Sequence, residues 1–102
     1  MEKLTRENYN QLKEKNIVFV DFWAGWCGPC MALAPIYDKV ATSFNEKATF
    51  MKCNVDEERD IAIKYEIMSI PCILVFKKGS LVDKFVGLAN EDILTNFVKK
   101  HI

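Results

Sequence analysis

Apolar residues along this chain occur either as short unbroken runs or as stripes at helical spacing. Residues 17 to 23 and residues 72 to 76 are apolar nearly throughout, which is typical of strands that are covered on both faces of a sheet. Residues 48 to 55 predict a third strand. The turn at Lys78-Gly79-Ser80 leads into residues 81 to 86, and so short a connection predicts an antiparallel hairpin.

Helical spacing predicts two helices in the first half of the chain. Thr5 is the expected N-cap of a short helix over residues 6 to 14. Residues 29 to 44 predict a longer helix, and Pro35 inside the pattern predicts a kink rather than two separate helices. The apolar residues expected to face the core are Tyr9, Leu12, Leu33, Ile36, Tyr37, Val40, Ala41 and Phe44.

Two further helices are predicted in the second half. Asp56 is the expected cap of a short helix that ends near residue 65, and Asn90 is the expected cap of a final helix. The residues predicted to be buried are Ile61, Ala62, Tyr65, Ile93, Leu94, Phe97 and Val98. The order of strands and helices predicts an α/β fold with a central mixed sheet in a single domain over residues 1 to 102.

Composition limits the function classes. Half of the 102 residues are hydrophobic, and 14 basic side chains balance 14 acidic ones. This balance favours neither a nucleic-acid partner nor an anionic membrane. The amino terminus lacks the apolar segment of a signal peptide, and no apolar run approaches the ~20 residues of a membrane span. We therefore expect a soluble, cytoplasmic protein.

The spacing of the four cysteines indicates redox chemistry rather than metal binding. Cys53 and Cys72 stand alone, and His101 is the single histidine. These spacings fit neither a zinc site nor a disulfide framework, so no metal is expected. Cys27 and Cys30, in contrast, form a C-x-x-C pair between a predicted strand and a predicted helix, the context of a redox pair.

The helix geometry gives these two cysteines different roles. Residues three apart share one face of a helical turn, so Cys27 and Cys30 can form a disulfide with little backbone movement. At the mouth of the helix, free N–H groups and the macrodipole favour the thiolate of Cys27. Cys30 is expected further inside. Pro29 suits the first turn, and Gly28 allows another backbone to come close.

Asp21 and the two tryptophans are further candidates for the site. An aspartate within a strand buried on both faces should have a raised pKa. The alternative is an aspartate at a solvated strand end. Trp26, beside Cys27, is expected to shape a flat face that docks substrate, whereas Trp23 is expected in the core.

Taken in order along nearly the whole chain, several motifs resemble the thioredoxin family. These are W-C-G-P-C after V-D-F-W-A, Ala34-Pro35 in the next helix, K-C-N-V-D, Ile70-Pro71 before a strand, and F-K-K-G. The resemblance implies a three-layer α/β/α sandwich, usually with a short additional first strand, which the sequence does not reveal near Leu4.

The resemblance also implies roles for residues outside the cysteine pair. Asp21 would assist proton transfer to and from Cys30, with Lys52 nearby. Ile70 and Pro71 would be joined by a cis peptide bond, face the cysteines and offer backbone to an extended substrate. Gly87 would border the docking surface.

The implied activity is reduction of protein disulfides by thiol exchange. The implied partners are disulfide-containing target proteins and an NADPH-dependent, flavin-containing thioredoxin reductase, and we expect a monomer without a bound cofactor. Two alternatives remain. One is a disulfide oxidant or isomerase of the secretory pathway, which Gly28-Pro29 disfavours. The other is a binding module whose role is independent of redox state.

Three residues depart from the family pattern. Met31 and Met68 stand where basic residues are common in the family. The two methionines either fill the core or form an adaptable apolar rim beside the cysteines. Cys72 replaces a common threonine. It is either a regulatory thiol or, as its strand parity with Leu74 and Phe76 favours, a small buried hydrophobe.

Overall fold

The computed structural model describes residues 1–102 and has a central sheet of five strands. The strands are β1 (Glu2–Lys3), β2 (Ile17–Trp23), β3 (Thr49–Asn54), β4 (Cys72–Lys77) and β5 (Ser80–Val86), arranged in the order β1-β3-β2-β4-β5. β1, β3 and β2 are parallel, whereas β4 is antiparallel to β2 and β5 is antiparallel to β4. The predicted mixed sheet is confirmed.

Helices cover both faces of this sheet and complete the predicted three-layer sandwich. They are a 3₁₀ helix (Tyr9–Glu14), α1 (Gly28–Ser43), α2 (Arg59–Lys64) and α3 (Glu91–Lys99). Two separate apolar cores result, one on each side of the sheet. The core under α1 and α3 contains Phe19, Leu33, Tyr37, Val40, Ala41, Phe50, Ile73, Val75, Ala89, Leu94, Phe97 and Val98. The core under α2 and the 3₁₀ helix contains Leu4, Leu12, Val18, Val20, Phe22, Met51, Cys53, Ile61, Cys72, Leu74 and Phe76.

The strongest apolar patterns were predicted correctly. β2 spans the predicted residues and has a neighbour on each side, so its interior is fully buried. α1 continues through Pro35 as one helix. A two-residue turn joins β4 to β5, and both turn residues, Lys78 and Gly79, have positive φ. Such a turn matches the right-handed twist of a hairpin.

Three expectations about helices were wrong. The first helix is a 3₁₀ helix that begins at Tyr9, because the Asn8 side chain accepts the Thr5 N–H and closes a turn before it. Asp56 does not cap α2, which begins three residues later at Arg59. Ile93 is 49% exposed.

Two further features differ from the sequence-based picture. β1 is the short first strand that the resemblance implied, but its two residues are too few for any apolar periodicity, so the local pattern did not reveal it. Trp23 is half-buried rather than a core residue, and so are Ala62 and Tyr65.

The topology brings four chain segments to one end of the sheet. The carboxyl ends of the parallel strands β2 and β3 meet there. Because β4 is antiparallel to β2, its first residue, Cys72, lies at the same end, and its partner Val86 brings the end of β5 there. Ligand sites of α/β sheets usually lie at such an end.

Candidate active site

The Cys27–Cys30 pair lies at this end of the sheet, at the start of α1. The two residues are joined by a disulfide, with their Cα atoms 5.2 Å apart. Cys27 is the N-cap of α1, and its Sγ accepts a hydrogen bond from the Cys30 N–H at 3.2 Å. Pro29 occupies the first turn, where no helical N–H is needed. The helix therefore offers N–H groups and its positive end to the sulfur of Cys27.

The two sulfurs differ in access. Cys27 is 6% exposed and Cys30 is 1% exposed, so both are largely buried and Cys27 is the more accessible of the two. A Cβ built on Gly28 meets nothing within 4 Å, so the space above the pair is open to a partner.

The loop before β4 forms the wall opposite the pair. The Ile70-Pro71 peptide bond is cis, as the resemblance implied. The Ile70 carbonyl oxygen lies 3.8 Å from the Cys27 Sγ. Gly87, with φ of 102°, donates its N–H to the Pro71 carbonyl at 2.9 Å. These residues are therefore beside the disulfide, where the sequence analysis expected them.

Trp26 stands at the surface on the other side of the pair. Its side chain is 72% exposed, and its indole N–H donates to the Asp56 carboxylate at 2.9 Å. Asp56 was expected to cap a helix instead. One feature of the sequence could have indicated the contact with Trp26: Asp56 follows β3 by two residues, and the carboxyl end of β3 lies beside that of β2.

Asp21 is buried beneath α1. It is fully inaccessible, and neither carboxylate oxygen has a hydrogen-bond partner. Burial raises the pKa of Asp21 from 3.8 to about 6, Lys52 opposes the shift, and Asp38 adds to it. The expectation of a raised pKa is confirmed, and the alternative of a solvated strand end is wrong.

Lys52 is the residue of β3 paired with Asp21. Its Nζ lies 5.3 Å from the centre of the Trp23 ring, over the aromatic face. Lys52 and Asp38 line a cleft of about 260 Å³ beside β1. No pattern along the chain indicated Asp38, because its relation to Asp21 depends on the rotation of α1 over the sheet.

The remaining two cysteines are buried and free. Burial raises the pKa of Cys53 to about 12, with Glu58 and Glu57 adding to the shift. Burial also raises the pKa of Cys72, against a lowering effect of Lys84. No group of three or more His, Cys, Asp or Glu side chains is arranged to hold a metal ion. None of the helices is long and apolar enough to cross a membrane.

Comparison with known proteins decides the family. The family model described as Thioredoxin matches residues 1–100. The chain belongs to the thioredoxin family. It is 42% identical over 100 residues to a thioredoxin of Staphylococcus aureus, covering 98% of this chain and 96% of that protein. A thioredoxin of Staphylococcus saprophyticus is 41% identical over the same length.

A solved structure of Plasmodium falciparum thioredoxin agrees in fold. It superposes with a TM-score of 0.91 at 35% identity and covers the whole of both chains. The thioredoxin fold predicted from the motifs is therefore confirmed. With the disulfide-forming Cys27–Cys30 pair, this thioredoxin-family chain is a protein-disulfide oxidoreductase that reduces target disulfides by thiol exchange.

Proposed function

We propose that Cys27 is the attacking cysteine and Cys30 the resolving cysteine of this reductase. The observation that carries this assignment is the N-cap position of Cys27, where its sulfur accepts the Cys30 N–H and where Cys27 is more accessible than Cys30. A thiolate is favoured in that position.

The proposed reaction has two exchange steps. The Cys27 thiolate attacks one sulfur of a target disulfide, forms a mixed disulfide and releases the other target sulfur as a thiolate, which takes up a proton. Cys30 then loses its proton and attacks the Cys27 sulfur, which releases the second target thiol. The target gains two electrons and two protons, and the Cys27–Cys30 disulfide that remains is the state in this structure.

Asp21 is the proposed proton acceptor for Cys30. Both residues belong to the buried layer between α1 and the sheet, and a pKa of about 6 lets a carboxyl group both take up and release a proton near neutral pH. Lys52 is proposed to hold that pKa within this range, since its charge lowers the pKa that burial raises.

The proposed substrate-binding surface surrounds the Cys27 sulfur. An added Cβ at Gly28 would meet nothing within 4 Å, so space for a partner is open there, and Trp26 supplies an exposed aromatic face. The loop before β4 supplies backbone groups. The residues proposed to contact substrate are Trp26, Gly28, Pro29, Ile70, Pro71 and Gly87.

We further propose that the chain acts as a single-domain monomer in the cytoplasm, with an NADPH-dependent flavoprotein thioredoxin reductase as its electron donor. The free thiols of Cys53 and Cys72 suit a reducing compartment. Each turnover leaves a disulfide that another protein must reduce. Size-exclusion chromatography and reduction by a purified reductase with NADPH test these points.

Trapping of the mixed disulfide tests the two cysteine roles. Cys30→Ser should attack a protein disulfide and remain covalently bound to it, whereas Cys27→Ser should form no adduct, because it lacks the attacking sulfur. Non-reducing electrophoresis after incubation with insulin measures the adduct. Equal trapping by both variants would show that the nucleophile is wrongly assigned.

A further inference from the structure

We propose that Met31 and Met68 make this site select target disulfides whose neighbouring residues are apolar and uncharged. The inference rests on the proposed function and adds a substrate class to it. It concerns these two side chains, both of which are exposed.

Both methionines are exposed and lie close along the chain to residues that contact Cys27. Met31 is one helical turn beyond Cys27, and its N–H donates to the Cys27 carbonyl at 3.1 Å. Met68 lies two residues before Ile70, whose carbonyl oxygen faces the Cys27 sulfur. The exposed fractions are 51% for Met31 and 90% for Met68. Neither residue is core filling, which was one of the two alternatives.

Exposed apolar residues continue around this end of the sheet. We call the set that contains the two methionines the apolar ring, and its members are Trp26, Met31, Met68, Val86 and Leu88. Val86 pairs with Cys72, and Gly87, between Val86 and Leu88, donates its N–H to the Pro71 carbonyl. Each member is at least half exposed, so a partner that reaches the disulfide also meets this surface.

The chain segments that carry the apolar ring contain no charged residue. Residues 22–37, 67–76 and 85–90 lack Lys, Arg, Asp and Glu altogether. The carboxylate nearest to the ring in the contacts of the structure is Asp56, and it already accepts the Trp26 indole N–H. Lys84, which is exposed in β5 and lowers the pKa of Cys72, is the nearest positive charge and lies two residues before Val86. Between the two methionines, a charged side chain of a target would therefore lose water on docking without an opposite charge in the adjoining segments.

An apolar side chain in the same position would gain from burial. Methionine is flexible and polarizable, so it can pack against apolar side chains of different shapes. Attraction between exposed charges weakens with salt, whereas apolar contact does not depend on it in this way. The geometry thus points to docking that tolerates varied apolar sequences and is insensitive to ionic strength.

Peptide reduction measures this selectivity directly. Three peptides share one internal disulfide, and leucine, aspartate or lysine flanks its cysteines. The wild-type protein, kept reduced by dithiothreitol, should show a kcat/KM for the leucine peptide about fivefold or more above that of either charged peptide. This ratio should be the same at low and high NaCl concentration, after subtraction of direct reduction by dithiothreitol.

Two double variants and a control identify the residues responsible. Met31→Lys with Met68→Lys should make the aspartate peptide the preferred one and make its reduction fall with added salt. Met31→Leu with Met68→Leu should keep the wild-type order. Val82→Lys adds a charge at another exposed apolar residue of β5, four positions before Val86, and should leave the order unchanged.

The possible results separate this inference from the proposed function. Equal rates for the three peptides, or a lysine double variant that keeps the wild-type order, would overturn the inference and leave the reductase function intact. Failure of the reduced wild-type protein to reduce any of the peptides would overturn both. Since the readout is a ratio, any general effect of a variant on the cysteine pair cancels.

Discussion

Asp21 shows, at the scale of a single residue, how the fold maintains a group that is unfavourable for stability. A carboxylate without hydrogen-bond partners in a protein interior costs free energy when ionised, and its pKa rises as a result. Residues that serve packing alone would be apolar here, as Phe19 and Ile73 on the same sheet face are. A buried acid at this position agrees with the proton-transfer role proposed for Asp21.

Asp21→Asn should stabilise the oxidised protein at neutral pH and slow its turnover. The penalty of the wild-type acid is absent below pH 3.8, grows as the pH rises, and is complete above about 6. Two pKa units correspond to about 3 kcal/mol. The free-energy difference between variant and wild type, from urea denaturation at pH 3.5 and pH 7.5, should therefore increase by about this amount in favour of the variant.

Asp60→Asn is the matched control, because Asp60 is exposed. It should show no such change between the two pH values. A smaller stability of Asp21→Asn at pH 7.5 than at pH 3.5, relative to wild type, would argue instead for an ion pair that the fold requires.

The free thiols of Cys53 and Cys72 should react far more slowly than that of Cys27. Burial raises the pKa of both Cys53 and Cys72, so the reactive thiolate is scarce at pH 8. In the reduced native protein, iodoacetamide should modify Cys27 first, and Cys53 and Cys72 should react only in denaturant. Mass spectrometry of the digested protein assigns each modified residue.

Cys72→Thr completes this test, since it removes the thiol beside Pro71. Turnover should be nearly unchanged if Cys72 is only a small buried side chain. A fast third thiol that is lost in this variant would make Cys72 a regulatory site instead.

At the scale of elements, the sequence predicted best where one interaction dominates. The apolar run of β2 and the stripe of α1 were found because burial alone determines both. Prediction was worse where local hydrogen bonds compete with helical propensity, as at Asn8, whose side chain binds the Thr5 N–H. The buried stripe of α3 is formed by Leu94, Phe97 and Val98, and Ile93 lies beside it. The apolar pattern alone could not fix that helix rotation.

Gly79, in the turn of the β4–β5 hairpin, packs against the 3₁₀ helix, and its replacement should lower the stability of the fold. Its φ is 86°, and an added Cβ would lie 2.7 Å from the Lys13 Cβ and 2.8 Å from the Lys13 Cα. Gly79→Ala should therefore lower the free energy of unfolding by about 3 kcal/mol or more, from unfavourable φ and overpacking together.

Gly87→Ala separates these two contributions. Gly87 also has positive φ, at 102°, but an added Cβ there would meet nothing within 4 Å. Its replacement should cost about 1–2 kcal/mol, from the backbone alone. Equal losses for the two variants in guanidinium denaturation would show that the contact with Lys13 relaxes without cost.

At the scale of the whole molecule, the sequence could predict the layers but only part of the site. The cysteine pair, Asp21 and the cis-proline loop belong to motifs that are continuous along the chain. The contact between Trp26 and Asp56, and the influence of Asp38 on Asp21, join residues from different elements. Such pairs depend on the register of β2 with β3 and on the rotation of α1, which no local pattern contains.

Contacts of Lys100 and His101 with Asp83 hold the carboxyl-terminal end of the chain to the sheet. The His101 ring Nε2 lies 2.8 Å from the Asp83 carboxylate of β5, and the ring packs against Phe19 and Phe97. The side chain of His101 is only 11% exposed, whereas that of Lys100, which approaches the same carboxylate at 3.5 Å, is 63% exposed. The buried contact should therefore contribute most of the stability at this end.

His101→Ala should lower the free energy of unfolding by about 2 kcal/mol, and Lys100→Ala by less than about 0.5 kcal/mol, since exposed ion pairs contribute little.

Burial disfavours the Asp83 carboxylate, but the Lys84 N–H, His101 and Lys100 outweigh it and lower its pKa below 3.8. A lowered folded-state pKa gives stability that is present above 3.8 and is lost as the pH falls through the folded-state value. Asp83→Asn should accordingly be less stable than wild type at pH 7 in urea denaturation, and the difference should shrink in acid. A difference that is constant from pH 7 to pH 2.5 would show that the charge of Asp83 does not hold the end of the chain.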